Sequence, residues 1–317
     1  MRDAGDVWSV GKLDLAAYLG RVQYAGPAEP SAATLTALYR AHLASIRFEN
    51  LDIFLRHGVS ADLEDIQEKI VFRGRGGYCY EQAQLFGAAL ERLGFGVERL
   101  LARVGPDGGP VRPRTHLTLR VRADQNVWLA DVGFGSAPPA PLSLRRYRSG
   151  GPQEVDGWIY EIAPDEEPGT QASSLFPPSA LKNLPSGTSR QASSVWKLRE
   201  YRGGSWVTLH RWDDVKVQPA DVVLSNYYTA THPDSWFTWQ PVIVKRDPDA
   251  IRSVVGRTYT VNRPGQERER RELTDREFAE ALAGEFALRL TDDEMAAVVA
   301  APAGRDRQPA ADAVPGT

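Results

Sequence analysis

The stretch 72-FRGRGGYCYEQAQLF-86 holds Cys79, the one cysteine of the 317-residue chain, two residues after a Gly-Gly pair. Glu81, Leu85, Phe86, Ala89 and Leu93 recur at helical spacing behind Gly76 and Gly77, which predicts a helix with Cys79 in or just before its first turn. A thiol is weakly ionised at neutral pH, and the unpaired N–H groups of a helix N-terminus favour its thiolate. Arg73 and Arg75 add positive charge nearby. Gly76 and Gly77 are expected to let the backbone turn sharply and to leave room for a substrate beside the sulfur. The alternative is a buried, inert cysteine that packs as a small hydrophobe.

On the N-terminal side of this stretch the chain reads as helical. Leu13, Ala16, Tyr18, Leu19 and Val22 fit one apolar face, and Leu35, Leu38, Tyr39, His42 and Ile46 follow Ser31, a good N-cap. A short helix is predicted over LEDIQEKIV (63–71). From Val97 the pattern changes to β-branched or alternating runs, VERLLARV, HLTLRVRA and NVWLADVGF, then GWIYEI, VWKLREY and SWVTLHRW, separated by Gly, Pro and Asp. These are short strands of an antiparallel sheet or barrel. Residues 138–152 and the Pro- and Ser-rich 164–185 read as excursions from it. Beyond Asp221 come SNYYTATHPDSWF, the strand-like QPVIVKR and YTVNR, and a helix from Thr274, where Thr274 and Glu277 have capping-box spacing. Residues 301–317 lack apolar periodicity and read as a disordered tail. The fold class is therefore α+β, with helices over 1–93, strands over 94–222 and a small α/β segment over 223–300.

The pair THLTLRVRADQNVWLADVGFG (115–135) supplies a partner for the thiol. With a four-residue turn over 122–125, Val121 pairs with Asn126 and His116 falls opposite Asp131 on one face. A carboxylate accepting one ring N–H fixes the tautomer and leaves the other nitrogen to take a proton from a thiol. The competing reading is a satisfied core histidine or a structural cross-strand pair. His42 lies among apolar residues, His57 in a turn, His210 in a strand-like run and His232 before Pro233. The five histidines are scattered without HxH or HxxxH spacing, so no metal site is expected.

Composition narrows the function classes. Hydrophobic residues at 42% and charged residues at 25% are those of a globular chain, of a length suited to two or three domains. A net charge of −3 argues against nucleic acid or a membrane surface as partner. No secretory leader and no run of ~18 to 20 apolar residues is present, and a single cysteine forms no internal disulfide, so a cytoplasmic location is expected.

Several separated segments resemble the arylamine N-acetyltransferases: HLASIRFENLDIF (42–54), RGGYCYEQ (75–82), THLTLRV (115–121), LADVGFG (129–135) and SNYYTATHPDSWF (225–237). The order Cys, His, Asp and the intervals of 37 and 15 residues are similar to the family's. The resemblance covers about residues 10 to 290. It implies an N-terminal helical bundle, a central antiparallel β-barrel, a C-terminal α/β lid and a cysteine-protease-like catalytic core. By this resemblance Cys79 takes an acetyl group from acetyl-CoA and passes it, by a ping-pong route, to an aromatic amine or hydrazine. His116 is the base and Asp131 its orienter. Phe48, Thr115, Phe134 and Gly135 match positions lining the acceptor or CoA cleft, and no metal is implied. Two positions depart from the pattern: Ala83 stands where relatives usually have Asn, and Arg47 where they usually have Pro. Rival activities on the same scaffold are an amide synthase acting on a carrier-protein polyketide thioester and a cysteine hydrolase.

Overall fold

A computed structural model describes residues 6–108, 111–145, 151–165 and 195–301. Most of the Pro- and Ser-rich stretch and the tail from 302 onward lie outside the described residues. The first helices are α1 (Leu15–Arg21), α2 (Ala32–Ser45), α3 (Leu51–Phe54), α4 (Leu63–Gln67) and α5 (Cys79–Arg92). Ser31 caps α2 by accepting from Thr34 N at 3.1 Å, a contact worth about 1 kcal/mol. The helix expected over 63–71 changes pitch at Glu68, where α4 gives way to a wider turn over Glu68–Phe72. That turn carries Lys69 inward.

Thirteen strands follow among the described residues, β1 (Phe48–Glu49) lying between α2 and α3. Strands β2 (Gly96–Val104), β3 (His116–Ala123), β4 (Asn126–Ala130), β5 (Leu142–Ser143), β6 (Gln153–Val155), β7 (Trp158–Pro164), β8 (Trp196–Arg202) and β9 (Ser205–Trp212) form an antiparallel sheet in the order β5-β4-β3-β2-β9-β8-β7-β6. The sheet is a nearly closed barrel. Its two edges are joined by a side chain: Gln153 on β6 accepts from Ser143 N at 2.9 Å and donates to Ser143 O at 3.1 Å, as a neighbouring strand would.

A second sheet runs β1-β10-β11-β12-β13, with β10 (Val242–Arg246), β11 (Ile251–Val255), β12 (Thr258–Asn262) and β13 (Glu269–Glu272). Phe48 pairs with Val244 and Glu49 with Ile243, so a strand from the helical half completes the C-terminal sheet. Helices α6 (Pro219–Thr231), α7 (Asp275–Ala283) and α8 (Asp292–Ala300) complete the chain's described part. The expected capping box at Thr274 is present, Glu277 N donating to Thr274 Oγ1 at 3.3 Å. One large apolar core joins the early helices to the barrel interior, and a smaller one packs Leu51, Ile243, Val254, Phe278, Leu282 and Phe286 together. Among the described residues no helix is long and apolar enough to cross a membrane.

Candidate active site

Cys79 is the first residue of α5, where the sequence predicted it. The glycines before it act differently from the expectation. A Cβ on Gly76 would lie 2.4 Å from Arg47 O, and one on Gly77 would lie 2.9 Å from the Ile70 side chain and 3.0 Å from that of Glu81. Their bare Cα atoms let the loop press onto the strand at Phe48 rather than open space for a substrate. Gly77 N donates to Arg47 O at 3.2 Å and Glu49 N to Gly77 O at 3.1 Å, fixing that contact.

Beneath the first turn of α5 lies a buried ion cluster. Lys69 Nζ is 2.8 Å from Asp52 and 2.9 Å from Glu81, while Arg75 reaches Glu49 at 3.1 Å, Asp52 at 3.3 Å and Glu294 of α8 at 3.0 Å. Glu81 also accepts from Tyr78 N at 3.0 Å, closing the N-terminus of the helix. Arg75 is thus neutralised by carboxylates and is not the free positive charge expected beside the thiol.

The thiol is 3% exposed, and burial pushes it well above the usual range of a cysteine; backbone N–H groups of Leu117 and Tyr80 pull the other way. Burial thus works against the helix N-terminus that the sequence reading invoked for the thiolate. Its S–H donates to Thr115 O at 3.7 Å. Residues on both sides of His116 therefore engage the sulfur.

His116 Nε2 lies 2.8 Å from Asp131 Oδ2 in a hydrogen bond, and both side chains are buried. The strand register differs from the expected one. Ala123 pairs with Asn126 across a two-residue turn at Asp124 and Gln125, both at positive φ, so Val121 faces Trp128 and Leu119 faces Ala130. Because that shift keeps the parity of the ladder, His116 and Asp131 still share a face, now as diagonal neighbours just past the end of β4. The imidazoles of His116 and, after it, His210 hold the Asp131 carboxyl well below the usual carboxylate range despite its burial.

A third side chain completes this group. His210 on β9 places its Nε2 at the same 2.8 Å from Asp131 Oδ2, although the ring is turned so that the contact falls short of a linear hydrogen bond. The histidines that look scattered in sequence are therefore neighbours, His116 and His210 having ring centroids 5.0 Å apart. His116, Asp131 and His210 offer ligand atoms within 4.8 Å of one another, as do Asp52, His57 and Glu294. In the second group Asp52 and Glu294 are already engaged by Arg75.

Cys79 and His116 open onto one cavity of about 30 Å³, walled by Phe48, Val104, Thr115, Gly133, Phe134, Trp236 and Phe237. Phe48, Thr115 and Phe134, named from the sequence, line this cavity. Gly135 is not on that wall; Gly133 is, its Cα against the backbone of Cys79. Trp236 and Phe237, stacked at 4.3 Å, form the cover. Asn50 holds this cover down by donating to Phe237 O at 2.9 Å and Gln240 O at 2.8 Å. Sequence reasoning assigned no role to Asn50, Trp236 or Phe237, though all three fall in the quoted motifs. Arg47, one of the two departures, donates to Phe286 O at 3.2 Å, tying the loop to the C-terminal helices. Ala83, the other, is packed in the core.

Residues 31–168 and 186–295 match the family described as N-acetyltransferase. The arylamine N-acetyltransferase of Escherichia coli strain K12 is 31% identical over 90% of this chain and 94% of its own. The crystal structure of Nocardia farcinica arylamine N-acetyltransferase superposes with a TM-score of 0.81 at 32% identity, over 94% of this chain and 98% of that one. The Mycobacterium marinum arylamine N-acetyltransferase, solved in complex with CoA, gives 0.76 at 27% identity over 90% and 98%. With Cys79 and His116 on one cavity and Asp131 bonded to His116, this agreement in sequence and fold over nearly its whole length means that the chain belongs to the arylamine N-acetyltransferases, a family of acyltransferases.

Proposed function

We propose that the protein transfers an acetyl group from acetyl-CoA to an arylamine or arylhydrazine through a thioester on Cys79. The observation that carries this reading is the 2.8 Å bond from His116 to Asp131 beside a cavity that Cys79 and His116 both line. In this reading the helices up to 93 deliver the nucleophile, residues 94–222 deliver the base and its orienter, and residues 223–300 cover the cavity.

The chemistry runs in two steps, because a covalent intermediate splits one difficult transfer into two easier ones. With Nε2–H given to Asp131, His116 has Nδ1 free to accept the thiol proton, which a buried neutral thiol requires at the moment of attack. Sulfur adds to the acetyl carbonyl, and the backbone N–H of Tyr80 in the first turn of α5 is a donor for the oxygen that becomes negative. The tetrahedral adduct collapses, CoA leaves with the proton from His116, and acetyl stays on Cys79. The amine then adds to the thioester, His116 removes its extra proton, and collapse returns that proton to the Cys79 sulfur as the amide departs. This order of roles is that of cysteine proteases, with an amine in place of water. The cover formed by Phe48, Trp236 and Phe237 fits that preference, since a dry acyl-enzyme is protected from hydrolysis.

CoA binding by the Mycobacterium marinum relative supports acetyl-CoA as donor. The test is intact mass after incubation with acetyl-CoA: an acetyl adduct is expected on the native protein and absent in Cys79→Ala. Absence of both adduct and CoA release in the native protein would sink the reading in favour of a carrier-protein thioester or hydrolysis. Asp131→Asn is expected to fold and to lose roughly 10⁴-fold in rate, as in other triads.

A further inference from the structure

His210 is one buried group near the reacting atoms that the mechanism above does not use. It is fully buried on β9, walled by the rings of His116 at 5.0 Å, Phe134 at 5.2 Å and Trp212 at 5.5 Å. Its Nε2 is 2.8 Å from Asp131 Oδ2, the oxygen that already accepts from His116. An unprotonated ring nitrogen this close to a carboxylate oxygen is repelled by it, whereas an Nε2–H is attracted even through the bent contact that the turned ring makes, so Nε2 carries the hydrogen. The other oxygen, Asp131 Oδ1, has no hydrogen-bond partner among the described residues. A carboxylate with one free oxygen and one donor can swing; a second donor on the same oxygen pins it.

We propose that His210 is a positioning residue that donates its Nε2–H to Asp131 and thereby fixes the carboxylate that orients His116. This rests on the triad reading above. The assignment differs from simple packing in what it demands: a particular tautomer, and a donor rather than a ring. In that arrangement β9 is the backstop of the triad. Strand β2 lies between β3 and β9, pairing Ala102 with His116 on one side and Val104 with His210 on the other. Both histidines are thus carried to Asp131 by the barrel ladder itself.

The experiment combines two readouts. In protein labelled with ¹⁵N-histidine, long-range ¹H–¹⁵N correlation reports each ring's tautomer, and His210 is expected in the Nε2–H form. In single-turnover release of CoA from acetyl-CoA, His210→Phe is expected to slow the step roughly 10- to 100-fold, the loss of one charge-assisted hydrogen bond, with KM for acetyl-CoA unchanged. His210→Gln, whose amide reaches the Nε2 position, is expected to recover most of the rate. An Nδ1–H tautomer, a His210→Phe protein with native rate, or a His210→Gln protein as slow as His210→Phe at equal melting temperature would each overturn the proposal. Should His210→Phe not fold, the native tautomer and the Gln variant decide. Failure of the triad reading looks different: Cys79→Ala would still acquire acetyl, whatever the tautomer of His210.

Discussion

A methyl group on Gly133 would sit 2.8 Å from the carbonyl oxygen and 2.9 Å from the Cα of Cys79, both backbone atoms that have no rotamer to yield. Gly133→Ala is therefore expected to displace Cys79 against His116. A misplacement of even 1 Å costs on the order of 10²-fold. The expected outcome is a folded protein with acyl-enzyme formation slowed by at least about tenfold, read by stopped-flow release of CoA. His42 shows residue-scale energetics of another kind. It is fully buried, with Tyr18 Oη at 2.9 Å and Gln82 Oε1 at 3.3 Å, and burial lowers it from 6.5 to about 3. Between those values the unfolded chain binds a proton that the folded chain refuses, so stability is full above about 6.5 and falls as pH drops below it. The loss is at most about 1.4 kcal/mol per pH unit for this group. His210, also lowered by burial, adds in the same direction. The urea midpoint is expected to fall from pH 7 to pH 4.5, with a shallower fall in His42→Gln.

Helix α5 presents Cys79 from a base of opposed charges, in which Lys69 is held far above the usual lysine range by Glu81, Glu49 and Asp52 despite its burial. Lys69→Met leaves Glu81 without its cationic partner, while Asp52 keeps Arg75, and a loss of about 3 to 5 kcal/mol is expected in chemical denaturation. Local signals at this scale were legible. Ser31 and Thr274 cap as their side chains dictate, and Cys79 opens its helix. The hairpin bearing His116 and Asp131 was readable in parity but not in register, because Asp124 and Gln125 adopt positive φ and tighten the turn. Helix α6 was missed for a physical reason: Val223, Leu224 and Tyr227 face outward while Val222, Asn226 and Thr229 face inward, which inverts the usual pattern. Helix α8 carried a readable signal in Thr291 and Glu294, whose capping box is present. His210 could not be found locally, since what makes it a neighbour of Asp131 is the order of strands β9, β2 and β3.

At the scale of the whole molecule, the N-terminal and C-terminal parts are not separable. Strand β1 pairs with β10, Arg75 reaches Glu294, and Asn50 accepts from Val242 N at 2.6 Å. Removing everything after Glu272 would strip Leu51, Ile243 and Val254 of Phe278, Leu282 and Phe286. The truncated chain is expected to lose acetyl-adduct formation and to melt well below the full chain or aggregate, measured by intact mass and thermal scanning. A fully active truncation would show that the C-terminal helices are dispensable to the cavity. The pairing of Phe48 with Val244 also sets a clock on synthesis. A chain leaving the ribosome exposes its cysteine early, yet the wall beside that cysteine is not finished until the last sheet has been translated. Nascent, stalled or clipped polypeptides thus hold a thiol without the finished wall beside it.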